Sequence, residues 1–503
     1  MRLVFAAICI ISTCCAASLH AQTVYHEMYR PQVHFSPREK WTNDPNGMVY
    51  YNGVYHLFFQ YYPDSTVWGP MHWGHATSKD LVHWQQQPVA LFPDSLGYIF
   101  SGSAVVDKNN TSGFGKNGQP PLVAIFTHHD PNGEKAGRNN FQNQSLAYSV
   151  DNGKTWTKYA GNPVLKNPGI TDFRDPKVSW YEPEKKWIMT LATKDRITFY
   201  SSPDLKGWTK ESEFGKELGA HGGVWECPDL FTLEDNGKKV WVLIVNLNPG
   251  GPNGGSATQY FMGDFNGNKF TPADSATRWL DYGPDEYAGI TWSNTGNRKL
   301  FLGWMSNWQY ANVVPTTTWR NAMTVPRELT IKQAGTSRYI ASTPVAELNA
   351  IRLNPVAWQN IRVQNTFEVG TKASKIVLPG RLDLNLEKPN DFAVILANDA
   401  GEELEIGYDS KQQQYYIDRS RSGKVDFQKD FAGRAVAPRL RKTGSMDLKL
   451  VIDVSSVELF ADDGITVMTS IFFPSKPFDH IRLRSPGGTT FKKILYTDYM
   501  GIW

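Results

Sequence analysis

Short apolar runs separated by Gly, Pro, Asn and Asp fill the first two thirds of the chain. The runs are rich in β-branched and aromatic side chains and end at turn-forming residues, which is typical of β-strands. No long stretch of this region repeats its apolar residues with the period of a helix. The pattern therefore predicts an all-β fold between residues 25 and 335. Examples are VYHLFFQYY (54–62), PLVAIFTHH (121–129), KWIMTLAT (186–193) and KVWVLIVNL (239–247).

A weak repeat runs through the same region. Three segments share Ser-x-Asp followed by Trp after a short gap, and each comes after a predicted strand. They are SKDLVHW (78–84), SVDNGKTW (149–156) and SPDLKGW (202–208). Units of several strands that recur in this way are typical of the blades of a β-propeller. Unrelated turn motifs are the simpler alternative, but three occurrences in the same context favour the propeller.

The pattern changes in the last third of the chain. PVAELNAIR (344–352) contains a short helical pattern, and we predict a linker over 336–355. The strands beyond it alternate apolar and polar residues, which is the pattern of a β-sandwich with one buried and one exposed face on each sheet. We therefore predict a propeller over 25–335 and a β-sandwich over 356–503. Strands of this kind are RLDLNLE (381–387), DLKLVIDVSSVELFA (447–461) and HIRLRS (480–485).

The N-terminus has the composition of an export signal. Arg2 supplies a positive start, an apolar run follows, and the boundary after residue 21 fits a cleavage site. We predict a signal peptide over 1–21 and an exported protein, whether periplasmic, cell-surface or secreted. A lipid anchor at Cys14 is compatible with this segment, although Thr13 is a poor residue to precede a lipid-modified Cys.

Composition excludes several classes of function and of site. The chain has 503 residues and a formal net charge of +3, with no long run of Lys or Arg, so nucleic-acid binding is not expected. After the predicted signal only Cys227 remains, which excludes an internal disulfide and a Cys-based metal site. The His residues form no HExxH motif, so we do not expect a catalytic metal. The sequence indicates no oligomeric state.

Three short acidic motifs lie far apart in the chain. In each, a carboxylate (Asp44, Asp175 or Glu226) stands beside aromatic, Gly or Pro residues. Taken singly they have plain structural interpretations, such as a turn at Asp44 that presents its carboxylate at a strand end. In a propeller, however, the innermost strands of different blades converge on one axial pocket, and clustered carboxylates there can cleave glycosidic bonds. The motifs are WTNDPNG (41–47), FRDP (173–176) and WECPD (225–229).

These motifs resemble those of glycoside hydrolase family 32, and the resemblance covers nearly the whole mature chain. Bacterial levanases and fructan β-fructosidases are the members that it resembles most. The resemblance implies a five-bladed β-propeller followed by a C-terminal β-sandwich. It also implies retaining hydrolysis of β-fructofuranosidic bonds in levan or inulin, and in sucrose, without a cofactor. Further matching segments are WGPMHWGHA (68–76), FSGSA (100–104) and LGWMSNWQYA (302–311).

Motif by motif, the resemblance also implies residue roles. Asp44 would be the nucleophile that attacks C2 of fructose, and Glu226 would be the acid/base. Asp175 would hold fructose hydroxyls and stabilise the transition state, oriented by Arg174. Cys227, next to the acid/base, would tune the pKa of that residue. The substrate-binding residues that the resemblance implies are Trp41, Asn43, Gln60, Trp68, Phe100, Ser101, Arg174, Cys227, Tyr287 and Trp308.

Two features depart from the family pattern. Glu286 stands where relatives often carry an aromatic residue before Tyr287; if that aromatic residue touches substrate, Glu286 changes the contact. The polar, Gly-rich segment 129–143 is longer than in close relatives. At the rim of a pocket it would influence whether chain ends or chain interiors are cut. The choice between endo and exo attack, and between β-2,6 and β-2,1 linkages, stays open.

Two other functions also stay open. One is an inverting five-bladed hydrolase of arabinan or xylan, which would share a scattered three-acid layout. The WTNDPNG motif and the Glu226-Cys227 pair favour fructosides instead. The other is a non-catalytic fructan-binding protein with the sandwich as a lectin module. A pure binder has no need for a nucleophile, an acid and a stabilising carboxylate together.

Overall fold

The computed structural model describes residues 25–370, 376, 378–442 and 444–503. The predicted signal peptide and Cys14 lie outside these residues. The described chain is nearly all β-structure, with one short α-helix, α1 (Pro131–Lys135). Within it, no helix is both long and apolar enough to cross a lipid bilayer.

Five small antiparallel sheets follow one another along the chain and form the blades of a β-propeller, as predicted. Blade 1 holds β1 (Lys40–Tyr51), β2 (Val54–Tyr62), β3 (His72–Ser78) and β4 (Gln85–Leu91). Blade 2 holds β5 (Tyr98–Val106), β6 (Leu122–His129), β7 (Gln142–Ser149) and β8 (Thr157–Lys158). Blade 3 holds β9 (Phe173–Tyr181), β10 (Lys186–Thr193), β11 (Arg196–Ser202) and β12 (Thr209–Phe214).

The last two blades have five strands each, and one strand from the end of the propeller returns to the first blade. Blade 4 holds β13 (Val224–Asp235), β14 (Lys238–Asn248), β15 (Ala257–Phe265), β16 (Phe270–Pro272) and β17 (Arg278–Trp279). Blade 5 holds β18 (Tyr287–Thr291), β19 (Leu300–Met305), β21 (Ala322–Met323), β22 (Arg327–Ala334) and β23 (Ser337–Pro344). Between them in sequence, β20 (Trp319–Arg320) pairs in parallel with β1 of blade 1 and closes the ring.

The sequence repeat marks the same turn in three successive blades. Each copy connects the third strand of its blade to the fourth. In the first copy the Asp80 carboxylate accepts the Ser78 hydroxyl at 3.0 Å and the backbone N–H of Val82 at 3.0 Å. Asp151 and Asp204 make the corresponding bonds in the other two copies. The repeat is therefore a side-chain-stabilised turn rather than a chance similarity.

The segment predicted to be a linker, 336–355, contains ordered elements. Strand β23 pairs with β22 along its whole length, so the fifth blade extends to Pro344. A 3-10 helix (Ala346–Ile351) follows, and the next strand starts at Arg352. The mixed exposure of β23 explains why its sequence lacks a clear apolar run.

The C-terminal strands form the β-sandwich that their alternating pattern predicts. In Gly380–Leu386, for example, every second residue is buried. The longest strand, His480–Tyr499, pairs with Phe392–Ala397 through its first half and with Gly380–Leu386 through its second half. The strands are β24 (Arg352–Val369), β25 (Gly380–Leu386), β26 (Phe392–Ala397), β27 (Glu403–Asp409), β28 (Gln414–Arg421), β29 (Arg434–Pro438), β30 (Met446–Ile452), β31 (Ser456–Ala461), β32 (Thr466–Ile471) and β33 (His480–Tyr499).

Buried ion pairs join the sandwich to the propeller. Arg327 of β22 binds Glu458 of β31 and also Asp281, which lies just before β18, at 2.9 Å. Arg419 of β28 binds Asp285 at 2.6 Å, and all five side chains are buried. Removal of one partner from such a pair leaves an uncompensated buried charge, which typically costs about 3–5 kcal/mol. The sandwich therefore holds in place the segment that leads into the innermost strand of blade 5.

Candidate active site

A pocket of about 300 Å³ opens at the end of the propeller where the innermost strands begin. All five innermost strands bring residues to the pocket or to its base, so residues far apart in sequence meet there. Trp41, Cys227 and Tyr287 lie beneath the lining residues and are buried. Ten of the predicted site residues line the pocket: Asn43, Asp44, Gln60, Trp68, Phe100, Ser101, Arg174, Asp175, Glu226 and Trp308.

Each innermost strand contains a β-bulge at the level of the pocket. In every case two residues of the innermost strand stand opposite one residue of its neighbour. A bulge bends the strand and re-aims its side chains, which explains how they reach the axis. Asp44 therefore lies inside β1 at a bulge, and the expected turn at a strand end is wrong. The bulged pairs are Asn43-Asp44, Phe100-Ser101, Asp175-Pro176, Cys227-Pro228 and Ala288-Gly289.

Three donors surround the Asp44 carboxylate. The Ser101 hydroxyl donates to Oδ2 at 2.6 Å, and the Asn43 side-chain amide donates to Oδ1 at 2.9 Å. The Cys227 thiol also lies 3.4 Å from Oδ2. The Trp41 indole N–H in turn donates to the Asn43 amide oxygen at 2.8 Å, which fixes the orientation of that amide. Asp44 is thus held rigidly with its carboxylate at the pocket.

A phenol and a guanidinium hold the Glu226 carboxyl group. The Tyr287 hydroxyl donates to Oε2, while Nε and Nη2 of Arg174 lie 3.2 and 3.0 Å from Oε1. Arg174 also binds Asp172 at 2.5 Å, and its closest approach to Asp175 is 4.0 Å. Burial opposes the Arg174 charge, but the surrounding carboxylates raise its pKa above the usual value. Arg174 therefore orients the Glu226 carboxyl group more directly than it orients the Asp175 carboxyl group.

Asp175 is the most strongly buried of the three acids that come from the sequence motifs. Its Oδ2 accepts the backbone N–H of Cys227 at 3.0 Å. Burial, together with the negative charges of Glu226 and Asp44, raises the pKa of Asp175 to about 7, against the opposing effect of Arg174. Near neutral pH this carboxyl group can therefore either accept a hydrogen bond or donate one.

The Cys227 thiol is a donor rather than a reactive group. Burial and the neighbouring carboxylates raise its pKa well above the usual value, which keeps the thiol protonated. It lies 3.4 Å from Asp44 and 3.7 Å from Asp175. Although it follows Glu226 in sequence, its side-chain contacts are thus with the other two acids.

Aromatic rings form one wall of the pocket. The Trp68 and Phe100 rings meet edge to face with their centroids 6.1 Å apart, and Trp308 stacks on Trp41 at 6.0 Å. Such rings offer flat apolar surfaces, while the acids and Gln60 offer polar contacts. This combination suits a sugar ring, which has apolar faces and hydroxyl edges.

The sequence motifs do not identify six further residues that line the pocket. Four of them come from segment 129–143, which therefore does form part of the rim. His129 stacks on Phe100 with ring centroids 4.2 Å apart, and its Nε2 lies 3.1 Å from Glu134 of α1. The polar composition of the segment indicates a loop at the rim, but it does not show which side chains point into the pocket. The six residues are His129, Glu134, Phe141, Gln142, Thr171 and Asp172.

Glu286 does not line the pocket. Its side chain is buried, and its carboxyl group fills a niche beside Gly289 and Gly303, where a Cβ atom would collide with it. Burial, followed by the charge of Asp281, raises the pKa of Glu286 to about 8. The expectation that this residue changes a substrate contact is therefore wrong.

Candidate metal ligands also lie away from the pocket. Over the described part of the chain, one group of three His, Cys, Asp or Glu side chains is close enough to share a cation. It consists of Asp399, Asp479 and His480 in the sandwich.

The site combines two carboxyl groups with different surroundings on one aromatic-walled pocket. Asp44 is held by neutral donors, and Glu226 lies between a cation and a phenol. Most glycoside hydrolases use a pair of carboxyl groups in one pocket, so this arrangement points to that class of enzyme.

Comparison with known proteins identifies the family within this class. The model of the glycosyl hydrolases family 32 N-terminal domain matches residues 34–344, and the model of the family 32 C-terminal domain matches residues 347–498. The chain belongs to glycoside hydrolase family 32.

Three relatives illustrate the similarity. A levanase from Bacillus subtilis is 47% identical over 95% of this chain and 72% of its own length. The crystal structure of an exo-inulinase from Aspergillus awamori superposes with a TM-score of 0.86 at 39% identity, covering 95% of this chain and all of that one. A fructofuranosidase from Schwanniomyces occidentalis complexed with fructosylnystose has a TM-score of 0.85 at 33% identity, over 94% and 98% of the two chains.

Proposed function

We propose that this protein is a retaining hydrolase of β-fructofuranosidic bonds, with levan or inulin as its polymeric substrate and sucrose as a smaller one. The observation that carries the proposal is the pair Asp44 and Glu226, each held by its own donors on one sugar-sized pocket. The names of the relatives, a levanase and an exo-inulinase, support fructans as the substrate class.

In the first step Asp44 acts as the nucleophile. One of its carboxylate oxygens attacks C2 of the fructosyl unit, while Glu226 donates its proton to the glycosidic oxygen. The C2–O bond to the leaving group breaks, and a fructosyl ester on Asp44 forms. The Ser101 and Asn43 donors keep the attacking carboxylate in one orientation, so little reorganisation precedes the attack.

In the second step water replaces the leaving group. Glu226, now a carboxylate, takes a proton from the water as its oxygen attacks C2, and the ester bond to Asp44 breaks. Two displacements at C2 return the original configuration. Arg174 and Tyr287 contact Glu226 in this structure, and both are suitable donors when the carboxyl group loses its proton.

Asp175 binds the fructose hydroxyls in this scheme. Its buried carboxyl group lies beside both working acids, and its pKa of about 7 lets it adapt to a hydroxyl as acceptor or donor. As positive charge develops on the ring in the transition state, a negative charge at Asp175 stabilises it. Asn43, Gln60, Trp68, Phe100, Ser101, Arg174 and Trp308 complete the sugar-binding surface.

The pocket favours the end of a chain. Trp41, Cys227 and Tyr287 close its base, so a fructosyl unit enters from one side only. We therefore propose exo attack, with fructose as the product. The predicted signal peptide and the extracellular relatives support export, after which the enzyme meets polymeric substrate outside the cytoplasm.

Product analysis on three substrates tests this function. We expect purified protein to release fructose as the first product from levan, inulin and sucrose, because one terminal unit fits the pocket. Chromatography of early samples is the measurement, with boiled enzyme as the control. A ladder of oligosaccharides would contradict exo attack, and no release from any of the three would contradict the function.

A further inference from the structure

Exposed apolar side chains concentrate around the mouth of the pocket. Among the described residues eleven large apolar side chains are exposed, and five of them lie in three loops at this end of the propeller. We call these five residues the apolar arc. They are Val67, Trp68, Phe92, Leu96 and Val313.

The topology places the three loops side by side. Loop 92–97 leads into β5, whose first residues reach the pocket, and loops 63–71 and 306–318 carry the lining residues Trp68 and Trp308. The backbone N–H of Trp68 donates to the side chain of Asn312 at 2.9 Å, which joins two of the loops. The N–H of Ile99, near the start of β5, donates to the carbonyl of Met71 at 3.0 Å, so loop 63–71 lies beside the strand into which loop 92–97 leads. The three loops that carry the arc are therefore neighbours around the mouth.

Loop 92–97 is fixed although its apolar side chains are exposed. The Lys158 ammonium lies 2.5 Å from both the Phe92 carbonyl and the Asp94 carboxylate, and the Leu96 N–H donates to Asp94 at 2.8 Å. The His72 ring contacts the Phe92 ring at 5.5 Å. Phe92 remains 56% exposed and Leu96 40% exposed. An apolar surface held in place in this way is prepared for a ligand, since little entropy is lost when the ligand binds.

The other side of the mouth is polar. Segment 129–143 forms this side, and its Glu134 and Arg138 side chains are 57% and 56% exposed. Segment 129–143 contains two acidic and two basic residues, so this side of the mouth has no net charge that would favour a charged ligand. A chain of sugar rings, with apolar faces on one side and hydroxyl groups on the other, matches a mouth of this kind.

We propose that the apolar arc binds the second and later fructosyl units of a fructan chain whose terminal unit occupies the pocket. This inference rests on the proposed function. Its main support is continuity, because Trp68 belongs to both the arc and the pocket wall and contacts Phe100 there. The arc thus extends the substrate-binding surface outward, and it distinguishes a polymer from a disaccharide.

The test compares a polymer with a disaccharide in a double variant, Phe92→Ala with Leu96→Ala. Neither residue lines the pocket, so we expect kcat/KM on sucrose to stay within twofold of the wild type. On long-chain levan or inulin we expect kcat/KM to fall on the order of tenfold through a higher KM, because two apolar contacts are lost. A matched control, Leu353→Ala with Val356→Ala, removes two apolar residues of similar exposure from the sandwich and should change neither value.

Three results would overturn the inference. One is an unchanged kcat/KM on the polymer, and another is an equal loss on polymer and sucrose. The third is a concentration-dependent dimer of the wild type that the double variant abolishes in sedimentation, since the arc would then bind a second copy of the chain. A wild type that releases no fructose from any substrate would instead contradict the proposed function itself.

The Phe92→Tyr variant, which keeps a ring at this position, should retain most of the polymer activity.

Discussion

Asp44→Asn abolishes hydrolysis of every fructoside while the protein stays folded: this is the largest effect that we expect. The amide has the shape of the carboxylate but cannot form the ester with C2 of fructose. Loss of a nucleophile from a site of this type typically lowers kcat by about four to six orders of magnitude. Initial rates on sucrose and levan measure the effect, and thermal unfolding shows whether the fold persists.

A carboxylate outside the pocket supplies the control for this variant. Asp151 belongs to the repeated turn in blade 2, where it accepts hydrogen bonds from Ser149 and Thr155. Asp151→Asn makes the same chemical change and should leave kcat within about twofold of the wild type, at a modest cost in stability. Activity of Asp44→Asn within tenfold of the wild type would contradict the role of Asp44.

The second large effect is expected for Glu226→Ala. Without this carboxyl group the leaving oxygen departs unprotonated and the attacking water keeps its proton, so kcat should fall by about three to four orders of magnitude. The loss should depend on the substrate. A fructoside with a strongly acidic leaving group needs no proton in the first step and should still form the ester on Asp44.

Azide separates this catalytic role from a structural one. The azide ion attacks C2 without giving up a proton, so it should restore turnover of such a substrate by Glu226→Ala and give fructosyl azide. It should not restore Asp44→Asn, which forms no ester. Rates with and without azide are the measurement. A failure of azide to raise the rate of Glu226→Ala would contradict the assignment of Glu226 as the acid/base.

The sequence revealed the propeller and the acidic motifs because both depend on local patterns. The Ser-x-Asp turns recur since each uses one carboxylate to bind the backbone that follows it. Pro45, Pro176 and Pro228 come directly after or close to the acids, and these prolines lie at strand bulges. The pattern thus marked where the strands become irregular, although a bulge and a turn have similar sequence signals.

Partners across blades were not predictable from local patterns. Arg174 and Asp175 are adjacent in sequence, but successive side chains of a strand diverge, so Arg174 reaches Glu226 of the next blade instead. Glu286 and Tyr287 differ in the same way. Tyr287 contacts Glu226, whereas the Glu286 side chain is buried beside Gly289 and Gly303, away from the pocket. Such pairings depend on the angle between blades, which the sequence of one strand does not encode.

The role of the sandwich could not be predicted from the sequence either. Asp285 is only two residues before Tyr287, and it binds Arg419 of the sandwich at 2.6 Å and the backbone N–H of Ile471 at 2.9 Å. The sandwich thereby holds the start of β18, which positions the Tyr287 hydroxyl on Glu226. This arrangement depends on packing between domains, for which neither segment has a recognisable motif.

The configuration of the first-formed product tests the central claim most directly. Proton NMR during the first minutes of sucrose or levan hydrolysis distinguishes β-fructofuranose from its α anomer before mutarotation mixes them. Double displacement through Asp44 predicts that β-fructofuranose appears first, with retained configuration. Initial formation of the α anomer would show a single displacement by water and would contradict the account.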